Sequence, residues 1–103
     1  MVSRHRGSKD GNHDEIAQVL RDLGCSVLDA HQCGIPNFPD IIAGLLGRTI
    51  IIEVKNPATY YGRSGLTCGQ SAFARDWRGG QVYVVTSRDE AIALVQNLRR
   101  SAQ

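Results

Sequence analysis

Apolar residues recur with two different periods along this chain, and the switches between them outline its elements. Ile16, Val19, Leu20 and Leu23 follow the i, i+3, i+4, i+7 rule of a helix with one buried face. Asn12 stands where an N-cap belongs, Asp14 and Glu15 fall in the first turn, where the helix dipole favours acid, and Gly24 supplies the stop. Residues 26–30 predict a first strand, and residues 31–37 form a loop rich in turn formers. Between Phe38 and Lys55 two apolar runs flank Leu46-Gly47-Arg48. The second run is dominated by Ile and Val, which favours strand over helix for so short a segment. A Gly-containing turn folds such runs into an antiparallel hairpin.

Each run of that hairpin carries charge where a buried strand should carry none. If residues 45 and 48 pair across the turn, Asp40 faces Glu53; if 46 and 49 pair, Asp40 faces Lys55. In either register, alternation puts Glu53 and Lys55 on one face of their strand and Val54 on the other. Buried charges are normally paired or bind metal. Two carboxylates on adjacent strands suit Mg²⁺, and a neighbouring lysine can stabilise developing negative charge or help deprotonate an attacking water. A salt bridge between Glu53 and Lys55 at a sheet edge is the simpler alternative.

Downstream, Asn56-Pro57 ends the strand, because proline cannot donate to a ladder. Residues 58–65 form a loop with Tyr60, Tyr61 and Arg63, which suits stacking on bases or clamping phosphate, or else covering the core or a subunit contact. Thr67 and Gln70 have capping-box spacing at the start of a second helix, whose stripe of Gln70, Phe73, Ala74 and Trp77 should pack on the sheet. Arg75 and Arg78 lie off that stripe, free to meet phosphates or solvent. Gly79-Gly80 ends this helix and residues 81–86 make the last strand. A strand–helix–strand passage of this length implies a crossover and parallel pairing. Ser87 and Glu90 form another capping box, opening a helix with Ala91, Leu94, Val95 and Leu98 on one stripe and Arg99 and Arg100 near its end. The expected architecture is α/β, in the order α-β-β-β-α-β-α, with a four-stranded mixed sheet flanked by helices.

At 103 residues the chain has room for one domain and one modest core, assigned to residues 12–103. Residues 1–11 lack apolar periodicity and carry Arg4, Arg6 and Lys9. They read as a flexible basic segment able to lie along a DNA backbone, or as a solvated tail. A formal charge of +2 does not by itself announce a nucleic-acid binder, although ten of the twelve basic residues are arginine, suited to bidentate phosphate contacts. No run is long enough to span a membrane, and no signal peptide is visible. Cys25, Cys33 and Cys68 are odd in number and lack zinc-type spacing, which fits reduced thiols in a cytoplasmic protein. A site from Cys25, His31 and Cys33 is a remote alternative.

Pro39-Asp40 followed by Glu53-Val54-Lys55 at the end of an Ile-rich strand resembles the signature of PD-(D/E)XK nucleases. With Asn56-Pro57, the Gln70 helix, Gly79-Gly80 and a Val-rich strand after it, the chain from about Asn12 to Val95 resembles the small stand-alone VRR-NUC-type nucleases of phages. These are relatives of the Holliday junction resolvases. The resemblance implies a restriction-endonuclease-like core and a Mg²⁺-dependent deoxyribonuclease, with Mn²⁺ expected to substitute because oxygen ligands suit it too. It implies that Asp40, Glu53 and the Val54 backbone carbonyl bind the metal, that Lys55 orients or deprotonates water, and that Gln70 assists. It brings Glu15 toward the metal, because such nucleases often carry a first-helix glutamate there; Asp14 and Glu15 otherwise serve the helix dipole. Some related resolvases place a catalytic serine in the region of residues 31–37, which has none here; His31 and Asn37 receive no role.

Kinship with resolvases points to branched DNA as substrate and, for paired cuts on a four-way junction, to a homodimer with two sites. It also suggests a bacterial or phage-infected cytoplasm. Two other classes stand beside the nuclease. One is a DNA-binding accessory protein that keeps the fold without cleaving; the other is an assembly domain in which the charged cluster is a structural salt bridge.

Overall fold

The computed structural model describes residues 11–31, 33–59 and 65–102, and in them three helices and four strands follow the order helix, three strands, helix, strand, helix. Helix α1 (His13–Asp22) buries Ile16, Ala17, Val19 and Leu20. Its end is a Schellman arrangement. Gly24, at φ +98°, donates to the Arg21 carbonyl, and Cys25 donates to that of Leu20, both at 3.0 Å. The start differs from the sequence expectation. Asn12 occupies the N-cap position and its carbonyl accepts from the Ile16 amide, but its side chain makes no capping bond. That side chain is used elsewhere in the fold.

Strands β1 (Ser26–Asp29), β2 (Ile41–Leu45), β3 (Arg48–Val54) and β4 (Val82–Val85) form one sheet in the order β1-β2-β3-β4. The first two pairings are antiparallel and the last is parallel. Leu45 pairs with Arg48, which selects the first of the two possible hairpin registers. The turn explains the choice: Leu46 and Gly47 both have positive φ, 56° and 75°, as the tight two-residue turn that matches strand twist requires.

Between β3 and β4 runs α2 (Cys68–Asp76), and α3 (Arg88–Ser101) closes the described fold. Ile41, Ala43, Leu45, Ile50, Ile52, Val54 and Val85 share one face of the sheet, packed against α1 and against Ala91, Val95 and Leu98 of α3. At the start of α3, Ser87 Oγ accepts from the Glu90 amide. Glu90 reaches one residue beyond the expected box partner, taking the amide and hydroxyl of Thr86, each at 2.7 Å.

Helix α2 departs most from expectation. Its capping box is complete, yet it buries none of its residues. It ends at Asp76, ahead of the glycines, because Trp77 turns extended while its ring stacks on Phe73 at 5.4 Å. Phe73 in turn meets the edge of Phe38 at 6.2 Å, so the stripe packs on the approach to β2 rather than beneath a second core. Among the described residues, no helix is long and apolar enough to cross a membrane.

Candidate active site

The observed register aligns Asp40 with Glu53 in the row just past the last β2–β3 pair, on the face opposite the core. Ala30 donates to the Asp40 carbonyl at 2.8 Å, so the end of β1 fixes that position from its other side. Beyond Ile41 the β2 ladder stops, and the Asp40 side chain takes its place: Oδ2 accepts from the Val54 amide at 2.8 Å. In a strand, the N–H and C=O of one residue point to the same side. The Val54 carbonyl is therefore directed toward Asp40's side of β3, while the Lys55 amide turns the other way, to the Val85 carbonyl at 3.1 Å.

Glu53 is 4% exposed, a buried carboxylate on the open face of the sheet. One of its partners is Gln70, whose Nε2 donates to Glu53 Oε1 at 3.2 Å. Gln70 Oε1 accepts from Lys55 Nζ at 2.8 Å and from the Thr67 amide at 2.9 Å. One amide thus closes the helix cap and bridges an ammonium to a carboxylate. Capping and site assembly are one arrangement, in which the helix cap sets the Gln70 rotamer and that rotamer sets the spacing of Lys55 and Glu53. An ammonium has three donors, and among the described residues Gln70 takes one.

Asn12 braces this end of the sheet. Its Nδ2 donates to the Lys55 carbonyl at 3.1 Å and to that of Thr86 at 2.9 Å, tying the start of α1 across the exits of β3 and β4. Such bonds span 43 and 74 residues of chain, which local capping logic cannot foresee.

The remaining sequence candidates are scattered. Glu15 is exposed on α1. Arg75 is paired with its neighbour Asp76 at 2.9 Å, and Asp76's carboxyl is held below its ordinary range chiefly by that hydrogen bond. Arg78 is exposed. Asn37 adopts φ 63°, with its side chain against Gly69 at the start of α2. Arg4, Arg6, Lys9, Tyr60, Tyr61 and Arg63 lie outside the described residues.

Cys25 and His31 sit beyond opposite ends of β1, and Cys33 is exposed, so the Cys25–His31–Cys33 alternative is not assembled. His31 groups instead with Asp29 and His13, neither of which was singled out as a ligand from the sequence. The signals were present. His13 continues the buried stripe of Ile16 and Leu20 one turn back, and Asp29 and His31 have the two-residue spacing of one strand face. Burial raises the Asp29 pKa, but the His31 hydrogen bond and the charges of His13 and His31 outweigh it, leaving that carboxyl below its ordinary value.

No family model, curated protein or solved structure matches the chain.

Proposed function

We propose that the chain is a Mg²⁺-dependent deoxyribonuclease of the PD-(D/E)XK type, built on a restriction-endonuclease-like core. The observation that carries this reading is the linked set at the exits of β2 and β3: Asp40 on the Val54 amide, and Lys55 joined through Gln70 to Glu53. A structural salt bridge would need only Lys55 and Glu53 in contact. Here the Gln70 amide bonds both, which holds the two charges at one spot on the open face of the sheet.

The donor set supports a hard cation: two carboxylates and, on the same side of β3 as Asp40, the Val54 carbonyl, all of them oxygen. When bound, Mg²⁺ would neutralise charge on the scissile phosphate and make a water more acidic. Lys55 directs its remaining donors at the phosphate or the attacking water. Gln70 fixes the ammonium and the Glu53 carboxylate relative to each other. Water adds to phosphorus and gives up a proton to solvent, the bond to the leaving sugar oxygen breaks, and that oxygen takes up a proton from solvent. The stacked pair of Phe73 and Trp77, with Trp77 45% exposed, offers a ring surface near Gln70 on which an unpaired base could stack.

Branched DNA is the substrate this reading favours, cut by a homodimer. The test is incubation with a labelled four-way junction and a matching linear duplex, in Mg²⁺, Mn²⁺ or EDTA. Paired, metal-dependent nicks on the junction are expected, together with a dimeric mass by sedimentation. Equal cutting of both substrates would retain the nuclease and remove the junction preference. Binding without cleavage under either ion would replace the enzyme with the accessory protein.

A further inference from the structure

On the core face of the sheet, apart from the carboxylate site, a second group of metal-type donors meets where α1 begins and β1 ends. His13 opens α1, Asp29 closes β1 and His31 follows two residues later. One donor atom from each lies within 4.8 Å of the other two. Asp29 Oδ1 is 3.1 Å from His13 Nε2 and 2.5 Å from His31 Nδ1. A tetrahedral ion with bonds of about 2.0–2.1 Å holds its donors roughly 3.3 Å apart. The His13–Asp29 edge is therefore near that length already, the Asp29–His31 edge is reached by opening that contact, and the His13–His31 edge starts within 4.8 Å.

The electrostatic state of the imidazoles points the same way. His13 is completely buried, and the His31 side chain is 9% exposed. Among the described residues, His13 Nδ1 and His31 Nε2 have no hydrogen-bond partner, while His13 Nε2 has the Asp29 carboxylate 3.1 Å away. Buried polar atoms are nearly always satisfied, so one unpartnered nitrogen on each of two adjacent rings marks a deficit that a cation would relieve. The rings lie 5.1 Å apart and tilted at 55°, rather than stacked face to face. Asp29, 30% exposed, is the side of the cluster open to solvent, where an ion would enter and keep a water as a further ligand.

We propose that His13, Asp29 and His31 form a binding site for a transition-metal ion, Zn²⁺ foremost, distinct from the oxygen-only site at Asp40 and Glu53. Two imidazoles and a carboxylate suit Zn²⁺ and its neighbours, whereas Mg²⁺ prefers oxygen donors. The ion has a structural consequence. It fastens the first residue of α1 to the end of β1, next to Asn12, which holds Lys55 and Thr86, and next to Ala30, which holds Asp40. The inference does not depend on the nuclease reading.

The test is Zn²⁺ titration of the chelator-stripped 103-residue chain by calorimetry, with Co²⁺ as a visible-absorption probe. One saturable equivalent per chain, intense d–d bands and a raised melting temperature are expected. Asp29→Asn and His31→Gln should each weaken binding by more than the roughly 10–100-fold that loss of an outer-shell partner costs. Asp29 is part-exposed and both substitutions keep a polar side chain of similar size, so circular dichroism should show an intact fold. Cys33→Ser and the double variant Asp40→Asn/Glu53→Gln should bind as the parent does. Absence of saturable binding would overturn the proposal, as would binding indifferent to Asp29→Asn and His31→Gln, or binding lost with Asp40→Asn/Glu53→Gln.

Discussion

Asp40 holds the Val54 amide with one carboxylate oxygen, so its contributions to stability and to chemistry can be separated by the choice of substitution. Asp40→Ala leaves that amide without its acceptor and should cost about 1–3 kcal/mol as well as activity. Asp40→Asn retains a side-chain oxygen to accept the bond but removes the charge. Near-parental urea stability with cleavage lost by two or more orders of magnitude is therefore expected, and an active Asp40→Asn enzyme would remove this residue from the site. Lys55→Ala should likewise fold and fail to cleave. Cysteine chemistry gives a second test at this scale. Cys25 is buried and its thiol is pushed up by that burial, with Arg99 opposing, while Cys33 and Cys68 are exposed. Native protein should react at two thiols with a disulfide reagent and at the third only after unfolding. Because the Cys25 pKa is raised on folding, stability should fall as pH climbs past the ordinary thiol range toward the folded value. Asp40, Glu53, Lys55 and Gln70 were all legible as candidates, since charge inside an apolar run and a glutamine at capping spacing are local signals. The bracing role of Asn12 was not, because its partners lie far away in sequence.

Among the elements, the β2–β3 hairpin decides the site, and its register rests on two residues. Apolar alternation allowed Asp40 to face either Glu53 or Lys55, and the conformation of the turn selected Glu53. Leu46 is an unfavourable occupant of that turn, a non-glycine residue at φ 56° with 54% of its surface exposed. Asn-Gly is the preferred pair for such a turn. Leu46→Asn should therefore stabilise the protein by roughly 0.5–1 kcal/mol, since the left-handed strain on leucine is relieved and little buried area is lost. The expected readout is a higher urea midpoint at unchanged slope; a lower midpoint would mean that Leu46 packs more than its exposure shows. Helix α2 gives the opposite lesson. Its periodicity was legible, but a stripe says only which residues share a side. What they face is set by Phe38, which arrives from the loop before β2.

At the scale of the whole molecule the two faces of the sheet divide the work. One face is sealed by α1 and α3; the other carries Asp40, Glu53 and Lys55, lies near a helix with no buried residue, and leaves Leu28 and Val84 exposed at 67% and 41%. The order of elements and the parallel last strand followed from chain connectivity, because a helix-length passage between strands leaves few alternatives. The contacts of the proposed substrate do not follow in that way: they would depend on where arginines lie along a phosphate backbone, which neither period nor spacing encodes. Net charge sharpens the question. At +2 overall, the proposed affinity for DNA would have to come from local clusters, and Arg4, Arg6 and Lys9 form one ahead of residue 12. If all three neutralise phosphates, replacing them together with serine should lower the slope of log affinity against log salt by about 2–3 on duplex arms. Junction cleavage at low salt should persist in that variant, because Asp40, Glu53 and Lys55 are untouched. An unchanged slope would assign DNA binding to other arginines and leave the N-terminal residues a solvated tail.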